Sequence, residues 1–172
     1  MSDDNNTLGP IVSSAHLAAG GSVELSEFEF GLIIAHNAFS RWTVRCMAAA
    51  GVPDLSPLDV LVLHSISHRD RPKKMADICF VLNVEDTHTV NYALKKLIKM
   101  GLVDGEKRGK ERFFTTTDEG QQACIRYAEI RRECLLNSLN ALGGTEEDLH
   151  STAGLLRALS GLYDQAARAA TS

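Results

Sequence analysis

His88, Thr89, Asn91 and Tyr92 stand close together in the chain, and Lys95, Lys96 and Lys99 follow them at helical intervals. Short polar and aromatic side chains can meet the edges of bases, and ammonium groups further along can neutralise phosphates. Thr87 extends the polar end of this series. A second cationic group, Lys107, Arg108, Lys110 and Arg112, surrounds Gly109. A small residue lets a hairpin turn tightly, and cations around it can approach a minor groove or a sugar-phosphate backbone. Both groups have the chemistry of contact with a duplex.

The overall charge hides this pattern. The chain has 172 residues and a formal net charge of −4. Between Ser67 and Arg112, however, there are eleven Lys/Arg against seven Asp/Glu, and the remaining residues carry seven against fifteen. An anionic partner is expected at the middle of the chain.

The elements that must position these side chains are legible from start and stop signals. Ser26 and Glu29 have capping-box spacing ahead of a long helix in which Phe28, Leu32, Ala35, Phe39, Trp42 and Cys46 recur at helical intervals, with Gly51 to close it. Ser56, Pro57 and Asp59 open a helix over about 57–68. The apolar run "KKMADICFVLN" ends at Asn83, a residue suited to a left-handed cap, and Asp86 then starts a helix over 86–100 that Gly101 stops. In that helix Val90, Leu94, Leu97 and Ile98 form the apolar stripe. "LVDGEKR" and "ERFFTTT" are strand-like runs about a Gly109-Lys110 turn. Thr117 starts a helix expected to reach Gly143-Gly144, and Thr145 with Asp148 caps a last helix with a leucine-rich face.

Other chemistry is less well supported. No Gly-rich phosphate loop, nucleophile elbow or H-E-x-x-H occurs, so an enzyme is not expected; Asp77, Glu85 and Asp86 read as helix-start charges. His64 and His68 have the spacing of two zinc ligands on a helix but lack a companion pair, so no metal and no cofactor is expected. The four cysteines form no C-x-x-C, and Cys46 beside Arg45 is the one thiol considered for redox sensing. No apolar run approaches the roughly 18 residues that span a bilayer, which excludes a membrane partner and leads to a cytoplasmic expectation.

Three helices followed by a hairpin is the order of a winged helix. With the stretches "LSPLDVLVLHSI", "MADICFVLNVEDTHTVNYALKKLIKMGLV" and "TTDEG", the chain resembles the MarR-type winged-helix regulators from about Leu55 to Gly120. The resemblance implies a homodimer on double-stranded DNA at a pseudopalindromic operator, with first and last helices interleaved between subunits. It places Thr89, Asn91 and Tyr92 where the family reads bases, Lys96 at a backbone-contacting cation, and Lys110 at the wing-tip arginine. Arg108 then stands where the family has an acidic residue, and the interval from Gly-Leu-Val to Thr-x-x-Gly is shorter than usual. It also places a possible small-molecule effector among Phe39, Trp42, Met47 and Leu61, whose helical spacing is equally that of plain core.

The expected fold is therefore mainly α with a small β-hairpin wing, a winged helix-turn-helix flanked by long dimerisation helices. The expected segments are a flexible extension over 1–22, an N-terminal dimerisation helix over 23–55, the winged unit over 56–117 and C-terminal dimerisation helices over 118–172. Two other readings stay open: a winged-helix module that binds an acidic protein, and a small-molecule sensor that binds no operator.

Overall fold

The computed structural model describes residues 22–139 and 145–171. The expected extension lies, except for Ser22, outside these residues, as does the expected stop at Gly143-Gly144. The described chain forms two compact units, one closing at Cys124 and the other opening at Ile125.

In the first unit, α1 runs over Val23–Ala49. It starts one turn earlier than the Ser26–Glu29 spacing predicts. Ser22 has extended backbone and its hydroxyl accepts the Leu25 N–H at 3.2 Å, whereas Ser26 already lies inside the helix, donating back to the Ser22 carbonyl at 3.2 Å. Leu32, Ile33, Ile34 and Phe39 of α1 are exposed, while Cys46 and Met47 reach the core.

The next helix, α2 (Pro57–Ser67), follows its signals closely. The Ser56 hydroxyl accepts the Asp59 N–H at 3.2 Å and the Asp59 carboxylate accepts the Ser56 N–H at 2.7 Å. At its other end the Lys73 ammonium donates to the carbonyls of Ile66, at 3.1 Å, and of His68. Lys73 is thus a buried cap for backbone oxygens that the helix leaves unpaired. Burial, with Arg71 and Arg69 near it, lowers its pKa.

Lys73–Lys74 form a short strand, β1, that the sequence does not announce. It is followed by α3 (Met75–Leu82), which ends at left-handed Asn83, and after four linking residues by α4 (Thr87–Lys99), capped by Asp86 accepting the His88 N–H at 2.9 Å. The hairpin consists of β2 (Val103–Arg108) and β3 (Glu111–Thr116). All three strands are antiparallel in the order β1-β3-β2, so the expected hairpin is a three-stranded sheet. Gly109 takes φ 62° at the first turn position, where a side chain would be strained.

The core of this unit gathers Met47, Val60, Leu63, Ile66, Ile78, Val90, Leu94, Leu97, Val103 and Phe114, all buried. Two further non-glycine residues, Asp54 at φ 67° and Arg69 at φ 64°, hold left-handed backbone at the ends of α2. The hairpin leads into α5 (Asp118–Arg131), in whose first half the chain passes from one unit to the other.

In the second unit the helix widens to a π-type turn over Arg132–Leu136 and resumes as α6 (Asn137–Leu139). The last helix, α7 (Glu146–Ala170), has the expected Thr145–Asp148 capping box. Its Leu149, Leu155, Leu156, Leu162 and Tyr163 are all exposed.

Candidate nucleic-acid interface

Helical geometry places the polar and basic residues of α4 on one side. Val90, Ala93, Leu94 and Leu97 are buried, leaving His88, Tyr92, Lys95 and Lys99 as an exposed line, each three or four residues from the next. Thr87 and Thr89 are exposed at the leading end, and Asn91 is half-buried beside Tyr92. The Thr89 hydroxyl donates to the Asp86 carbonyl at 2.7 Å, so it also belongs to the cap. Among the described residues Lys95 and Lys99 form no ion pair. Lys96 differs, since its ammonium lies 2.8 Å from the Asp59 carboxylate.

Strand register sorts the wing cations. Val103, Gly105, Lys107, Arg112, Phe114 and Thr116 share one face of the hairpin, and Asp104, Glu106, Arg108, Glu111, Phe113 and Thr115 the other. Val103 and Phe114 are buried, so the first face is the inner one. On the outer face the Arg108 guanidinium lies 5.2 Å from the Phe113 ring centre and pairs with Glu106 at 2.7 Å. The Lys74 ammonium approaches the same ring at 5.4 Å and pairs with Glu111 at 2.7 Å. The Arg108 guanidinium holds the Glu106 carboxyl below its usual range. This face neutralises its own charge.

The inner face does not. Lys107 and Arg112 are directly paired across the strands, a like-charge pair that disfavours the isolated hairpin. Arg112 leans over Gly105 and sits 5.6 Å from the Phe114 ring centre. With Lys110 in the turn, the three cations have no carboxylate partner among the described residues. A passing phosphate would supply the missing anion. The wing thus offers Lys107, Lys110 and Arg112, whereas Arg108 is already paired. The carboxylate that holds Arg108 comes from Glu106, two positions before it on the same strand.

The structure also explains the Thr-x-x-Gly spacing. Thr117 donates its hydroxyl to the Gly101 carbonyl at 2.7 Å and its N–H to the Leu102 carbonyl at 3.1 Å, and its oxygen accepts the Gly120 N–H at 3.1 Å. These bonds join the end of the wing to the corner between α4 and β2.

Residues 55–120 match the family model of a winged helix DNA-binding domain. No curated protein matches the chain. Solved structures do. A MarR from Staphylococcus aureus in complex with salicylate and kanamycin is 15% identical over 90% of this chain and 99% of its own, with a TM-score of 0.66. A MarR family regulator from Neisseria meningitidis is 16% identical over 83% and 95%, also at 0.66. A mutant MarR from E. coli complexed with operator DNA is 16% identical over 79% and 95%, at 0.64. The chain contains a winged helix domain and shares the fold of these MarR structures. In a MarR-type fold α3 and α4 are the helix-turn-helix and β2–β3 the wing, so both groups of cations fall within the matched domain.

The other residues singled out by sequence separate in this MarR-type fold. Met47 is fully buried, Trp42 and Leu61 are half-buried and Phe39 is 53% exposed, so the four do not share one environment. His64 is half-buried in α2 and His68 is exposed beyond its end. Among the described residues no three His, Cys, Asp or Glu side chains gather as a metal site, and no helix is long and apolar enough to cross a membrane. Cys46 is 1% exposed, closed to the oxidant that a sensing thiol must meet. Sequence reasoning missed the anchoring role of Asp59, the cap formed by Lys73 and the two cations flanking Phe113. None of these has a local signal, because each partner lies elsewhere in the chain or on backbone.

Proposed function

We propose that this chain is a transcriptional regulator that binds a pseudopalindromic operator as a homodimer. The observation that carries the reading is the exposed line His88–Tyr92–Lys95–Lys99 on the second helix of a winged helix DNA-binding domain. Thr87, Thr89 and Asn91 would share the base-reading end, and Lys107, Lys110 and Arg112 would hold the backbone beside it. The chain reads sequence and catalyses nothing in this proposal, and it acts in the cytoplasm.

The dimer is supported by surfaces that one copy leaves uncovered. Leu32, Ile33 and Phe39 on α1, and Leu155 and Leu162 on α7, are exposed on long helices whose apolar residues need a partner. Two copies would place their recognition helices about one duplex turn apart, about 10 to 10.5 base pairs. A small-molecule effector is part of the proposal, in keeping with the salicylate and kanamycin complex of the Staphylococcus aureus protein.

Selection from a random duplex library at physiological salt tests the reading. Enrichment of a palindrome with that spacing is the expected result. Equal retention of all duplexes would replace operator reading with non-specific binding, and retention of none would favour an acidic protein partner.

A further inference from the structure

Lys96 stands in the middle of the basic half of α4, where the family resemblance puts a phosphate contact, yet its charge is already answered inside the protein. Its ammonium lies 2.8 Å from Asp59 Oδ2 and also donates to the Asp54 carbonyl. The Asp59 side chain is only 4% exposed, and the same Oδ2 accepts the Ser56 N–H that caps α2. Asp54 holds left-handed backbone in the loop just before α2, and its oxygen meets the ammonium.

The two pairs of the wing make a useful contrast. In both of them each partner is well exposed to water, so either can change partners at small cost. Pulling Lys96 away towards a phosphate would strand a buried carboxylate with its charge unmatched. A phosphate facing water offers less in exchange. The side chain of Lys96 therefore ties the third turn of α4 to the first turn of α2, joining residues 37 apart in the chain.

We infer that Lys96 is a positioning residue of the interface and not one of its phosphate contacts. Held by Asp59 and the Asp54 carbonyl, it fixes the rotation of α4, so that His88, Asn91, Tyr92 and Lys95 meet a groove in one register. Base recognition needs side chains held to within fractions of an ångström, which a helix free to roll does not supply. The inference rests on the DNA-reading role proposed above.

The test uses the full chain with Lys96→Met, which keeps the stem and removes the charge, and Asp59→Asn, which can still accept the Ser56 N–H. The double variant and Lys99→Met complete the set. Affinity for the selected duplex and for an unrelated one is measured over a range of salt. Lys96→Met is expected to keep the wild-type salt slope while selectivity between the two duplexes falls about tenfold, the scale of one base contact. Asp59→Asn should lose selectivity likewise, and the double variant should be no worse than either. Lys99→Met should lower the slope by about 0.9 with selectivity kept.

A slope lowered by about 0.9 in Lys96→Met would make Lys96 a phosphate contact and overturn the inference, as would unchanged selectivity. Wild-type protein that selects no duplex overturns the DNA-reading role, and this one with it. Amide hydrogen exchange needs no DNA. Lys96→Met and Asp59→Asn should quicken exchange at the same α4 amides and Lys99→Met should not; equal protection in all three refutes the tie.

Discussion

Gly120 lies against the backbone of Leu102, so close that a Cβ at position 120 would come within 2.0 Å of the Leu102 carbonyl oxygen. The same oxygen accepts the Thr117 N–H at 3.1 Å. A methyl group would therefore displace backbone that is already hydrogen-bonded, and no side chain can swing aside to make room. Gly120→Ala is expected to destabilise the protein by about 1 to 3 kcal/mol, the range of overpacking changes. The midpoint of urea unfolding measures it, and an unchanged midpoint would show that the corner yields.

The wing separates its cations by partner. Lys107→Ala and Lys110→Ala should each lower the salt slope of DNA binding by about 0.9. Arg108→Ala should lower it less, because that guanidinium is held by Glu106. Equal losses at all three positions would mean that Arg108 leaves Glu106 when the duplex arrives.

Asn91→Ala should cost about 1 to 3 kcal/mol on the selected duplex and little on an unrelated one. Competition binding distinguishes the two. Uniform weakening would move Asn91 from base edges to the backbone.

His64 gives the fold a dependence on pH. Burial holds its imidazole below the ordinary pKa of 6.5. As pH falls through 6.5 the unfolded chain binds a proton that the folded chain resists, so stability drops from there down to the folded pKa. Above 6.5 this contribution is complete. His64→Gln should flatten that part of the curve, seen as a smaller loss of unfolding midpoint between pH 7 and pH 5.5; an unaltered curve would assign the dependence to other groups.

The exposed leucines of α7 bear on assembly. A carboxylate at Leu155 or Leu162 would sit where an apolar contact is proposed, and each buried leucine contributes about 1.5 to 3 kcal/mol to such a contact. Leu155→Glu with Leu162→Glu is expected to halve the molar mass seen by light scattering. Wild-type protein of monomer mass would remove the proposed dimer.

Signals confined to a few neighbouring residues were legible in the sequence. Ser56, Pro57 and Asp59, the Asn83 cap, Asp86 and the Thr145–Asp148 box each bond within their own turn, so composition and spacing carry them. The Ser26–Glu29 spacing puts the start of α1 one turn too late, because Ser22, four residues earlier, supplies the cap. β1 was invisible, since two lysines have no period and pair only with Phe113 and Phe114 some forty positions on. At the interface, the basic side of α4 could be read from periodicity, but which of its lysines is paired depends on Asp59 in another helix.

Asp54, Arg69 and Asn83 all hold left-handed backbone without being glycine. That conformation costs a residue such as Arg69 about 1 to 2 kcal/mol, and the short polar side chains of Asp and Asn less. The links around α2 and α3 thus keep the domain below its own thermal ceiling through local conformation. Heat tolerance can rise in this scaffold by way of its turns, leaving core and groove-facing residues as they are.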